Sequence, residues 1–188
     1  MRRRSIPTGG NHSSSESGSI GSAPSLGQAR RYWIWDVGLA IPSARYFIAN
    51  GHAVTGVDSS PTLIGLCRAR FSGHDWIVSD MRRLNLATCF GGILAWDSFF
   101  HLSPDDQRAM FPVFRRHAEA GTALMFTSGP AAGEAIGAYR GEDLYHASLG
   151  PEEYEALLGA SGFQVLNHVA EDAMCGGRTV WLARFERA

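Results

Sequence analysis

Four aspartates recur in one local setting, each at or just after the end of a short apolar run: Asp36 after "YWIW", Asp58 after "AVTGV", Asp80 after "WIVS" and Asp97 after "GGILAW". Thr127 and Ser128 follow a fifth run, "TALMF". This repetition exceeds what scattered aspartates would give, and carboxylates at such ends can accept hydrogen bonds from a polar ligand. Asp58 lies about 20 residues beyond Gly38, the spacing at which an acid ending a second strand accepts the hydroxyls of an adenosine ribose. The competing reading is that Asp58 caps the next helix, or is merely solvated while Ser59 or Ser60 caps it. Asp80 with Met81 pairs an acceptor for an adenine amino group with an apolar side chain for the ring, or is a solvated turn beside a core methionine. In "WDSFFHL", Asp97 and His101 combine a carboxylate and an imidazole suited to proton abstraction or substrate contact. The alternatives are a helix cap for Asp97 and a hydrogen-bonded structural role for His101. His146 in "LYHASL" is a third candidate base, against a structural role. Asp97, Ser98 and His101 are not a hydrolase triad, because the chain has no G-x-S-x-G elbow. Cys67, Cys89 and Cys175 have no zinc spacing, so reduced thiols and no metal are expected.

The elements that must position these groups alternate. Trp33 to Val37 reads as a buried strand, and Ser43 to Asn50 as a helix capped by Ser43 and stopped by Gly51. Ala53 to Asp58 is a second strand, Pro61 to Phe71 a helix, Trp76 to Asp80 a third strand and Gly91 to Asp97 a fourth. Ser103 caps a helix with Asp105 and Asp106 in its first turn, where negative charge suits the dipole. Thr122 to Gly129 is a fifth strand. Nearly all-apolar strands alternating with helices predict an α/β fold, a parallel sheet covered on both faces. Beyond Gly129 come a Gly-rich connection, Pro130 to Ser148, and a helix, Pro151 to Ser161. Two runs then follow, Phe163 to Val169 and Arg178 to Phe185, and Gly176 and Gly177 make a hairpin-like turn the simplest link between them. Ligands of such sheets bind beyond the carboxyl ends of the strands, where the aspartates stand.

Composition narrows the partner. The 188 residues suit one domain, placed at residues 32–188, after a Ser/Gly/Arg-rich segment, residues 1–31, expected to be disordered. A net charge of -1 leaves no broad footprint for nucleic acid or anionic lipid, so a small-molecule substrate is expected. No apolar run spans a membrane, and Arg2 to Arg4 lack the apolar region of an export signal, which predicts a cytoplasmic location.

Taken in order, "WDVG", "VTGVDSSP", "VSDMRRL", "FGGILAWDSFFHL", "GTALMFTSGP", "GEDLYHASL" and "GGRTVWLAR" resemble a class I S-adenosylmethionine-dependent methyltransferase of the small stand-alone bacterial type. The resemblance runs from Trp33 to Arg184. It implies a three-layer Rossmann-like fold whose seven-stranded, mostly parallel sheet ends in an antiparallel hairpin. It also implies methyl transfer from S-adenosylmethionine to an unidentified acceptor, without metal. Asp36 and Gly38 would lie under the methionine part, Asp58 with Ser59 at the ribose, Asp80 with Met81 around the adenine, and Trp96 with Asp97 next to the methyl. The chain departs from the family's D-x-G-x-G-x-G loop. Leu39, Ala40 and Ile41 stand where glycines are expected, and a Gly/Ser tail replaces the usual leading helix. The alternative reading is a catalytically impaired remnant that binds a ligand or a protein. Oligomeric state is left open.

Overall fold

The computed structural model describes residues 30–35, 37–139 and 141–186. The tail through residue 29, and Asp36, lie outside the described residues. In chain order the elements are β1 (Arg31–Trp35), α1 (Val37–Ala49), β2 (Ala53–Asp58), α2 (Pro61–Arg70), β3 (Asp75–Val78), β4 (Phe90–Ala95) and α3 (Pro104–Arg116). There follow β5 (Ala118–Ser128), β6 (Gly133–Tyr139), β7 (Glu142–Ser148), α4 (Pro151–Ala160), β8 (Phe163–Asp172) and β9 (Arg178–Phe185). Seven strands form one sheet in the order β3-β2-β1-β4-β5-β9-β8. The first five pair in parallel, while β9 runs antiparallel to both β5 and β8. This is the Rossmann-like methyltransferase architecture. The terminal hairpin turns through Gly176 and Gly177, both at positive φ, which glycine adopts at no steric cost.

The strands bury both faces. On β1, Trp33 and Trp35 enter the larger core with Phe111 and Phe114 of α3 and Tyr154 and Leu158 of α4. Ile34, between them, points to the opposite core with Ala44 of α1 and Ile64 and Cys67 of α2. The period-two alternation of a strand thus supplies two helical layers at once. On β4, Gly92 leaves room for the ring of Tyr32, since a Cβ there would lie 2.4 Å from it.

Helix starts follow local chemistry. Ser60 accepts from the Leu63 amide and Ser103 from the Asp106 amide, each followed by a proline at the first helical position. No described helix is long and apolar enough to cross a membrane.

Two readings of the sequence are corrected. Helix α1 begins at Val37, one residue after β1, so Gly38 and residues 39–41 are helical and Ser43 lies inside the helix instead of capping it. Leu, Ala and Ile favour helical backbone, and Pro42 removes one hydrogen bond without abolishing the helix. The connection after Gly129 is not irregular: β6 and β7 form a separate antiparallel hairpin over seven registered pairs, Gly133 with Ser148 through Tyr139 with Glu142.

His117, fully buried at the end of α3, ties this helix to the chain entering β4. Its Nδ1 lies 2.8 Å from the Val113 carbonyl, and its Nε2 accepts from the Leu86 amide at 2.9 Å. That bonding requires the neutral ring with its proton on Nδ1. Burial pushes its pKa below the ordinary value of about 6.5, chiefly through desolvation and then through Arg116. The unfolded chain therefore binds more protons below that value, and stability is complete above about pH 6.5 and falls as pH drops toward the folded pKa. Urea unfolding at pH 8 and pH 5.5 is expected to show this loss. His117→Gln should lower the midpoint at pH 8 and reduce the pH dependence.

Candidate functional site

Parallel strands bring their carboxyl ends to one edge, and β2, β3 and β4 open there onto a cavity of about 450 Å³. Asp58 and Ser59 line it from the end of β2, Ser79 through Arg82 from the end of β3, and Ser98, His101 and Leu102 from the segment after β4. Five residues singled out in the sequence, Asp58, Ser59, Asp80, Met81 and His101, thus share one cavity. Trp96, Asp97 and His146 do not line it. Gly38 lies in the first turn of α1, and Asp36 is outside the described residues.

Asp58 Oδ1 accepts from the Ser60 amide at 2.7 Å. Its other oxygen has no hydrogen-bond partner among the described residues. The cap of α2 is Ser60, so Asp58 is spared that duty. Asp80 is more committed. It accepts from the Arg82 amide at the start of a 3-10 turn, Met81–Arg83, and Arg82 grips its carboxylate with Nε and Nη2. The guanidinium continues to Asp106 of α3 at 2.9 Å, so Arg82 joins the β3 end of the cavity to the helix after β4. Arg82 holds the Asp80 carboxyl below its usual range.

Asp97 sits in a left-handed turn with φ of 51°. Aspartate tolerates that conformation better than most side chains, yet it still costs energy that neighbours must offset. They do so from two strands. The Asp97 amide donates to Thr127 Oγ1 at 2.9 Å, and Arg178 donates through Nε and Nη2 to its two carboxylate oxygens, each at 2.6 Å. Arg178 also donates to the Cys175 carbonyl and lies over the Trp96 ring, 5.9 Å from its centroid. Because β9 is antiparallel, its first residue, Arg178, reaches the same edge as the last residues of β4 and β5. The helix-cap reading of Asp97 gives way to this clasp.

His101 ends a 3-10 turn, Phe99–His101. Its Nδ1 is 2.9 Å from the Tyr145 carbonyl, an acceptor, so Nδ1 carries the proton and Nε2 keeps a lone pair. The His146 ring lies 4.9 Å from that of His101 and 5.2 Å from Phe100. Desolvation, then the nearness of His101, push the His146 pKa below its ordinary value. A buried network pins this hairpin. Gln107 Nε2 donates to the carbonyls of Leu102 and Ala147 at 2.9 Å each, while Tyr154 donates to Gln107 Oε1 and accepts from the Leu149 amide. Three elements, α3, α4 and β7, are thereby joined behind the site.

Arg82, Arg178 and Gln107 escaped the reading of the sequence. Their partners lie 24, 81 and 40 residues away for Asp106, Asp97 and Ala147, and no local pattern announces such pairings.

Comparison with known proteins agrees with this geometry. A family model described as "Methyltransferase domain" matches residues 37–121. No curated protein matches the sequence significantly. Among solved structures, the chain is similar to 1,6-didemethyltoxoflavin-N1-methyltransferase of Burkholderia thailandensis, solved with 1,6-didemethyltoxoflavin and S-adenosylhomocysteine. There the TM-score is 0.66 at 19% identity, covering 86% of this chain and 73% of that one. It is also similar to CalS10, an amino pentose methyltransferase of Micromonospora echinaspora solved with S-adenosylmethionine, with TM-score 0.64, 17% identity and 84% of each chain covered. An S-adenosylmethionine-dependent methyltransferase of Clostridium acetobutylicum gives TM-score 0.66 at 13% identity over 84% of each chain.

The clasp around Asp97 has a measurable signature. Arg178→Ala is expected to cost roughly 1–2 kcal/mol in urea unfolding, less than a fully buried pair would because the arginine is 39% exposed. Asp97→Gly should be less destabilising than Asp97→Ala by about 1 kcal/mol, since glycine alone relieves the left-handed turn. Equal losses in the two variants would contradict that turn.

Proposed function

We propose that the chain is a class I S-adenosylmethionine-dependent methyltransferase that methylates a small-molecule acceptor and holds the cofactor's adenosine half in the cavity between β2, β3 and β4. The observation that carries this reading is the convergence of Asp58, Met81 and His101 on one cavity from three strand ends. Its volume is in the range of small-molecule sites. The donor and acceptor set fits the cofactor. Asp58 offers a free carboxylate oxygen to ribose hydroxyls with Ser59 beside it, and Met81 and Leu102 offer apolar walls to a flat ring. Asp80 gives the rim an acceptor already oriented by Arg82. S-adenosylmethionine would supply a methyl group whose carbon an acceptor atom attacks in line, the methyl–sulfur bond breaking as the new bond forms and S-adenosylhomocysteine leaving. Because the methyl is already activated, the protein's work is alignment and exclusion of water.

Where the acceptor must lose a proton, His101 is the residue to take it, since its Nε2 lone pair is free and the ring lines the cavity. Asp97 is locked to Arg178 and serves to shape the turn after β4, with Trp96 under the guanidinium. His146 packs behind His101 on the β6–β7 hairpin, and that hairpin forms the acceptor side. Structural neighbours named as a 1,6-didemethyltoxoflavin-N1-methyltransferase and an amino pentose methyltransferase favour a small acceptor.

The early start of α1 bears on the other half of the cofactor. With helical backbone where the family has a glycine loop, binding rests mainly on the adenosine half. Calorimetry with S-adenosylhomocysteine and with adenosine tests both points. Asp58→Ala is expected to weaken S-adenosylhomocysteine roughly 10- to 100-fold, the loss of one or two hydrogen bonds to a charged acceptor. Adenosine should bind within about tenfold of S-adenosylhomocysteine. Absence of wild-type binding at millimolar ligand would reject cofactor use, and unchanged affinity in Asp58→Ala would reject the ribose assignment.

A further inference from the structure

Ser98 is 2% exposed, and its hydroxyl has no hydrogen-bond partner. A hydroxyl in that position ordinarily finds one, because a buried polar group without a partner loses its hydrogen bonds to water and gains nothing. The nearest chance is local. Ser98 precedes the 3-10 turn Phe99–His101, where a serine side chain would usually accept from an amide two or three residues on, but its backbone, at φ −135° and ψ −41°, leaves that cap bond unmade. The left-handed Asp97 just before it, fixed by Thr127 and Arg178, sets the direction in which the chain enters this turn.

Ser98 lines the same cavity as Asp58, Asp80, Met81 and His101. The other buried polar atoms without partners among the described residues are the indole nitrogens of Trp33 and Trp35 and the Nε2 of His168. None of these residues lines that cavity: the two tryptophans pack edge to face within the larger core, and His168 stacks on Trp181. Among the described residues, Ser98 alone combines a buried side-chain polar atom without a partner with a place in the lining of this cavity.

We propose that the Ser98 hydroxyl is a cofactor-binding group, making a hydrogen bond to a polar atom that S-adenosylmethionine and S-adenosylhomocysteine share. This rests on the cofactor reading of the cavity. A serine hydroxyl both donates and accepts, so it suits an adenine ring nitrogen or a sugar hydroxyl equally, and it takes no part in proton transfer. The contact forms equally with substrate and product cofactor, so it contributes to binding and leaves the barrier of the bound complex unchanged.

Ser98→Ala gives the test, because a ligand-binding role and a structural role predict opposite changes. Removing an unpartnered buried hydroxyl should leave the thermal midpoint of the free protein unchanged or raised. The same variant should bind S-adenosylhomocysteine roughly tenfold more weakly by calorimetry, and S-adenosylmethionine by the same factor. Ser98→Cys, similar in volume with a weak donor, should behave like Ser98→Ala in binding. A lowered midpoint in the free Ser98→Ala protein would show that the hydroxyl has a partner within the fold, and would overturn the proposal. So would unchanged affinity in both variants while Asp58→Ala loses binding, and in that case the cofactor reading stands. If wild-type protein binds neither cofactor, the cofactor reading fails first and this proposal with it.

Discussion

A parallel sheet covered on both faces leaves its inner strands almost no freedom of composition. Every amide and carbonyl of β1 and β4 must be paired within the sheet, and every side chain must suit one of two apolar cores. Polar chemistry is thereby displaced to the strand ends, and parallel pairing gathers those ends on one edge. Asp58, Asp80, Asp97 and Thr127 are near one another for this reason, though they are dispersed along the chain. The single antiparallel strand at this place matters equally. Only because β9 is reversed does Arg178, its first residue, stand beside the last residues of β5 and reach across to Asp97.

That crossing converts a sheet edge into a site of defined shape. The chain leaving β4 must turn sharply to bring Ser98 and His101 over the edge, and it does so through a backbone conformation that aspartate adopts only at a cost. A carboxylate held by both arms of a guanidinium and an amide held by a buried threonine offset this cost. The same segment is gripped from behind by Gln107, whose two amide hydrogens bind Leu102 and Ala147. A fully satisfied buried network of this kind resists rearrangement more than apolar contacts alone. The cavity wall after β4 is thus defined by polar interactions, whereas the sheet beneath it is defined by packing.

The sheet was legible in the sequence because burial on two faces writes itself as continuous apolar runs, and the terminal hairpin because two adjacent glycines permit its turn. The first helix was misread for a physical reason. A family pattern of glycines suggested a loop, but Leu39, Ala40 and Ile41 carry helical propensity that the glycines would lack, and the helix simply starts earlier. The β6–β7 hairpin was hidden by its own small residues. "GEAIGAY" offers little apolar alternation, and Gly137 is small because the ring of His146 lies against it, where a Cβ would be 3.1 Å away. The strand-end acids were found from their places after apolar runs, while Arg82 and Arg178, which hold Asp80 and Asp97, were not. A salt bridge across 81 residues leaves no trace in either neighbourhood.

On the proposed reading, the two imidazoles at the rim are best understood together. Their rings are 4.9 Å apart, and burial and then the nearness of His101 disfavour charge on His146. The Tyr145 carbonyl then decides which nitrogen of His101 is occupied, and it leaves Nε2 with its lone pair. A hairpin that touches the site mainly through backbone and stacking can thus control the protonation geometry of a residue on another element. Changes in the β6–β7 hairpin would alter the acceptor space and the orientation of His101 together, because one strand supplies both.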